Sequence, residues 1–382
     1  MHKLTRVWRG RAFRQPPAAT GLDKRDLETG GDAYRIALLV PTCGSAGLWA
    51  PSSIACAQLA VQELNERGGV NGRAARLVIV DAAVEVLAEL EDLVEDLICA
   101  GAIDAIVGMH ISAVRERLIS VVRGRVPYIY TPLYEGGAMA PGVFAIGDTP
   151  DRQLGPAIDW LSAECSLRKW AFIGNDYVWP RVSHDYARRR VEALGCELAY
   201  ERYLPFGSAD IEEEATRIGA SGAEAVLISL IGQDAVDFNR AFGAARMDRR
   251  MIRLSCAIEE NGLLACGEEN VRRLYSSSSY FSALETPANR AFKERYHSLH
   301  GDLAPMLNSI GQSLYEGVQF LGGLMSSRPD NWLAPEGALD PPVVYESVRR
   351  VEGEGLRTGQ GAAPPIYLAR AEGLGFEIVA EL

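Results

Sequence analysis

The stretch RIALLVPTCGSAGLWAPSSIACAQLAVQELNERGGVNGR, residues 35–73, sets the reading of the whole chain. Its opening, Arg35–Val40, is an apolar run of strand length. Residues 53–67 then show helical spacing. Ile54, Leu59, Ala60, Val61 and Leu64 are apolar, whereas Gln58, Gln62, Glu63 and Glu66 are polar. Gly68-Gly69 stops that helix.

Outward from this unit the alternation repeats. Strands are expected at Arg76–Asp81, Ala105–Gly108 and Pro127–Thr131, with helices over Val84–Ala100 and Ser112–Gly124. A break falls near Phe144–Thr149. Beyond it come strands Lys169–Gly174, Glu197–Leu204, Ala225–Leu230, Met251–Ser255 and Leu274–Phe281. Helices Asp151–Glu164, Pro180–Gly195, Ile211–Ser221 and Asp234–Ala245 separate most of them. Helices follow at Pro287–His300 and Asn308–Ser326, with a short one at Pro342–Val351. Ile366–Ala371 and Gly375–Ala380 close the chain as a hairpin turning at Glu372-Gly373.

Apolar strands alternating with helices imply an α/β fold with central parallel sheets covered on both faces. Two runs of units imply two doubly wound lobes. The expected division is residues 34–148 with about 275–335 in one lobe, and 149–274 with about 336–382 in the other. The chain then passes between lobes more than once. Strand ends of both lobes face one cleft, a favoured place for a small ligand.

Composition narrows the partners. Asp plus Glu number 50 against 39 Lys plus Arg, a net charge of −11, which disfavours nucleic acid and an anionic membrane surface. Residues 1–33 are locally basic and polar, and are expected to form a disordered tail. They contain no apolar run of signal-peptide type, so the chain as it begins reads as cytoplasmic. A start codon further upstream would instead make it periplasmic or cell-surface. Seven cysteines without a C-x-x-C pair fit a reducing compartment and argue against a zinc site.

The loops after the strands hold the candidate ligand contacts. The first, Pro41–Trp49, carries Ser45 and Trp49 with glycines that expose backbone N–H groups, but lacks a phosphate-loop lysine. The next supplies His110 and Ser112, the serine at a helix start where it can cap or contact ligand. The loop after Tyr130 brings Thr131, Tyr134 and Glu135. Glu135 can pair with a ligand ammonium or amide N–H, or brace the loop. Tyr177 and Trp179 offer aromatic walls. Gln233, Cys256 and Glu259 complete the set. Neither G-x-S-x-G nor H-E-x-x-H occurs, and no catalytic role, metal or cofactor is expected.

Beside the opening stretch, VGMHISAVRE (107–116), YTPLYEGG (130–137), FIGNDYVWPR (172–181) and SLYEG (313–317) resemble the type I periplasmic binding protein superfamily. The nearest branch resembles the amide, urea and branched-chain amino-acid binding proteins, including the cytoplasmic amide sensor of the aliphatic amidase operon. The resemblance spans about residues 34–382. It implies two lobes joined by three crossovers and closing on a ligand. It also implies that Ser112, Tyr130, Tyr134, Tyr177 and Trp179 line the site. Two departures, His110 and Trp179, leave pocket size and ligand open. The expected function is a non-catalytic receptor for a small amide, urea or amino acid, partnered by an ABC permease. The alternative is a cytoplasmic sensor partnered by a regulator protein; a homodimer is a further candidate.

Overall fold

The computed structural model describes residues 32–333, 343–349 and 363–382, with the backbone of 7–8 and 356–357. Most of the expected tail over 1–33 therefore lies outside the described residues. The first lobe begins with strand β1 (Val7–Trp8), β2 (Tyr34–Val40), helix α1 (Ala50–Glu66) and β3 (Ala75–Asp81). It continues with α2 (Leu87–Cys99), β4 (Ala105–Gly108), α3 (Ser112–Val122), β5 (Tyr128–Tyr130) and β6 (Val143–Ala145). These strands form a parallel sheet in the order β1-β3-β2-β4-β5-β6. Strand β2 shows why the fold forms. Ile36 and Leu38 pack into one buried cluster and Ala37 and Leu39 into another, so both sheet faces are covered.

The second lobe follows with α4 (Pro150–Glu164), β7 (Lys169–Asn175), α5 (Val178–Ala193), β8 (Glu197–Leu204) and α6 (Ile211–Ala220). Next come β9 (Ala225–Ser229), α7 (Gly232–Ala244), β10 (Ile252–Ser255), α8 (Glu260–Cys266) and β11 (Leu274–Ser278). The chain then returns to the first lobe. Helix α9 (Pro287–His300) and helix α10 (Ser309–Ser327) pack on α1. Buried Glu63 of α1 ties the three together, accepting from Arg295 at 2.8 Å, Tyr315 at 2.6 Å and Gln319 at 2.9 Å. Gly317 lets α10 lie close on the sheet, since a Cβ there would sit 2.3 Å from Thr131 Cγ2.

A short ladder pairs β12 (Val344–Tyr345) with β13 (Leu356–Arg357). The hairpin β14 (Tyr367–Glu372) and β15 (Gly375–Glu381) then joins the second sheet, ordered β15-β14-β11-β10-β9-β7-β8. Among its described strands only the two pairings of β14, with β11 and with β15, are antiparallel. The fold is thus two doubly wound lobes joined by three crossovers.

Two expectations change. The break near residues 144–149 contains edge strand β6, too short for a periodicity signal. The helix expected over Pro342–Val351 is absent from described residues 343–349; its other positions lie outside them. Glu316 accepts the backbone N–H groups of Val348 and Arg349, holding that segment in a non-helical course.

Candidate functional site

A cavity between the lobes holds about 680 Å³ of space between atoms, part of it open to solvent. Its walls come from strand-end loops, helix starts and crossovers, as this topology dictates. Trp49, Tyr130, Tyr177 and Trp179 supply aromatic surface. Tyr177 precedes α5, and its ring lies 5.4 Å from Phe206 and 6.4 Å from Trp179. His110 is fully buried. One ring nitrogen faces the Ile111 carbonyl at 3.2 Å and the other the Tyr128 hydroxyl at 2.8 Å. Burial pulls its pKa down to about 4, with nearby Arg115 also lowering it and the Ile111 contact opposing, so the ring is neutral.

Thr131, Cys256 and Glu259 also line the cavity. Burial pushes the Cys256 thiol well above its ordinary pKa, leaving it protonated and a poor nucleophile. Glu259 caps α8, its side chain accepting from the Asn261 backbone at 2.6 Å and from Asn308 at 3.1 Å. Burial pushes its carboxyl up to about 8 and adjacent Glu260 adds to that, against opposing hydrogen bonds. At neutral pH this group is largely protonated.

The remaining sequence candidates lie elsewhere. Glu135 is taken by Arg115 of α3 and accepts from Ser112 at 2.9 Å. It braces its loop and does not line the cavity. Ser112 is the first residue of α3 and not its cap; its hydroxyl lies 3.2 Å from that of Tyr130. Tyr134 donates its backbone N–H to the Asp148 carbonyl. The Ser45 carbonyl accepts from the Gln233 backbone at 2.7 Å, so these two residues meet each other across the lobes. Glu135, Ser112, Tyr134, Ser45 and Gln233 therefore stand outside the cavity wall.

The sequence reading missed Asp148, Ser278, Ser279, Gln312 and Arg349, all on the wall. Asp148 lies inside the noted break and Gln312 directly before SLYEG, the two signals that pointed there. Arg349 donates to Glu316 of that motif, outweighing the downward pull of burial, and its guanidinium is held firmly charged by Glu316 and Asp148.

Chemically the arrangement binds and does not react. His184 lies 3.1 Å from the Ser229 hydroxyl and 3.3 Å from Glu201, the residue types of a hydrolytic triad. Ser229 and His184 are buried and neither lines the cavity, so no solute reaches them. Among the described residues no His, Cys, Asp and Glu cluster could hold a metal.

The periplasmic binding protein profile matches residues 33–356, and the chain belongs to that family. It is a substrate-binding protein and not an enzyme. Solved structures share the fold at low identity. An ABC transporter substrate-binding protein from Sphaerobacter thermophilus is 19% identical, with TM-score 0.72 over 92% of this chain and 98% of that one. A solute-binding protein from Rhodopseudomonas palustris HaA2, in complex with p-hydroxybenzoic acid, is 17% identical with TM-score 0.76, over 92% and 96%. A branched-chain amino acid transporter substrate-binding protein from Streptococcus pneumoniae, in complex with isoleucine, is 15% identical with TM-score 0.71, over 92% and 100%.

Proposed function

We propose that this protein is the solute receptor of an ABC transporter and closes on a small amide, urea or branched-chain-type amino acid. The observation that carries the reading is Glu259, a buried carboxyl on the wall that, unlike Asp148 beside Arg349, has no cation paired with it. Its described partners are backbone and carboxamide N–H groups, not a cation. A ligand N–H, from an amide or an ammonium, complements it; benzoates carry none. Trp49, Tyr177 and Trp179 pack against the small apolar remainder of the ligand.

A thermal-shift series with acetamide, urea, isoleucine and 4-hydroxybenzoate tests this. A true ligand at about 100 times its Kd adds roughly 2.7 kcal/mol of stability. The expected responders are the nitrogen-bearing solutes. A response to 4-hydroxybenzoate alone would overturn the assignment.

A second reading, a cytoplasmic sensor that reports its ligand to a regulator protein, is favoured by the seven cysteines, which form no disulfide among the described residues. Of these, Cys43, Cys99 and Cys165 reach solvent. Exposed thiols persist best in a reducing compartment. Cell fractionation separates the two readings: recovery with the periplasm supports the transporter role and removes the sensor.

A further inference from the structure

Most polar side chains on the cavity wall are satisfied by the protein itself. His110 uses both ring nitrogens. Tyr130 bonds Ser112, and Tyr280 donates to Asn289 at 2.8 Å. Thr131 donates to the Gly108 carbonyl and Ser313 to that of Thr131. Ser279 donates to Asp148 and accepts from Arg349 at 2.9 Å.

Two fully buried donors of the wall are left over. The indole N–H of Trp49 and the carboxamide NH₂ of Gln312 have no hydrogen-bond partner among the described residues. Both residues line the cavity, and they are only 5% and 1% exposed. A buried donor without a partner is costly, and native folds rarely keep one without a reason.

We propose that Trp49 Nε1 and Gln312 Nε2 form the oxygen subsite of the cavity and receive the carbonyl of a neutral carboxamide, whose N–H goes to Glu259. This rests on the receptor reading above and narrows it. Both donors are uncharged. The cationic side chain on the wall, Arg349, is spent on Glu316 and Ser279. A ligand carboxylate would thus be buried without a free counter-charge among the described lining residues, whereas a carbonyl needs none.

The same local structure holds donor and acceptor. Gln312 lies in the first turn of α10, and Asn308, which caps that turn, bonds Glu259. Trp49 ends the turn that leads into α1, the helix on which α10 packs.

Calorimetric titration of acetamide, isobutyramide, urea and isoleucine into the full chain, Trp49→Phe and Gln312→Met tests the subsite. Each variant is expected to weaken primary-amide binding about tenfold. Ligand-free thermal stability is expected to hold or rise, because an unpartnered donor has been removed. Amide binding unchanged in both variants would overturn the subsite and leave the receptor reading standing. So would tighter binding of isoleucine than of any amide, or a loss of ligand-free stability in both variants. Absence of binding by every one of these solutes to the unaltered protein would overturn the receptor reading itself, and the subsite with it.

Discussion

Where the chain crosses between lobes, Arg349 donates to Glu316 through Nε and Nη2 and to Ser279 through Nη1, and Ser279 donates to Asp148. All four residues are buried, and between them they involve all three crossovers. The contact between the β2–α1 loop and the β9–α7 region differs in kind. There the Gln233 backbone N–H reaches the Ser45 carbonyl at 2.7 Å, and no charged group takes part. A buried charge network holds firmly while complete and fails badly when one partner is removed. A single neutral hydrogen bond is worth only about 1 kcal/mol net, and water can replace it. For the proposed receptor, which needs a fixed axis and a rim that parts, these two regions would supply the one and the other.

The largest effect is expected from Glu316→Gln, which leaves the buried Arg349 guanidinium with only Asp148, 3.8 Å away, as counter-charge. Urea denaturation should show a loss of about 3–5 kcal/mol. A loss no larger than that of an ordinary neutral hydrogen bond would erase the contrast between crossovers and rim.

Gly232→Ala probes the rim. Gly232 has φ +54°, and a Cβ there would lie 1.9 Å from the Ser45 carbonyl oxygen. The substitution should cost about 1 kcal/mol of stability through backbone strain. It should weaken ligand binding by about tenfold or more, as the two loops can no longer meet. Unchanged affinity would mean that the ligand-bound form does not use this contact.

A pH-dependent effect sharpens the comparison, since Glu259 of the second lobe also bonds Asn308 of the first. Its folded pKa of about 8 lies above its ordinary value, so the folded state keeps a proton that the unfolded chain has released. This contribution to stability is fully present at acid pH and is lost as pH rises towards 8. Neighbouring Glu260, raised by burial, acts in the same direction. Glu259→Gln should flatten the fall in Tm between pH 5 and pH 8, a window inside the range of about 4 to 8 over which the folded and unfolded groups differ in protonation. Parallel profiles for the two proteins would show that Glu259 is ionised in the fold.

Much of the architecture was legible because parallel strands bury both faces and so read as apolar runs. The run Arg35–Val40 falls within β2, and Ala225–Leu230 overlaps β9. Strand β6 and helix α8 were not legible; one is a three-residue edge and the other a short helix. At the site, loops following strands pointed to Trp49, His110, Thr131, Tyr177, Trp179, Cys256 and Glu259, and the family resemblance to Tyr130, all of which line the cavity. Asp148, Ser279 and Arg349 come from three distant crossovers, so no local spacing could join them.

The amino-acid order alone determined the alternation that makes two sheet-centred lobes, and with it the aromatic character of their facing loops. Periodicity is a local property, written into neighbouring residues. Which acid faces the cavity was decided only by tertiary placement. Glu135 and Glu259 look alike as loop carboxylates. Arg115 of α3 neutralises the first and draws it off the wall, whereas the described neighbours of the second are amides, a backbone N–H and another acid. A side chain's charge state depends on what surrounds it in space, and those surroundings exist only once the lobes have packed.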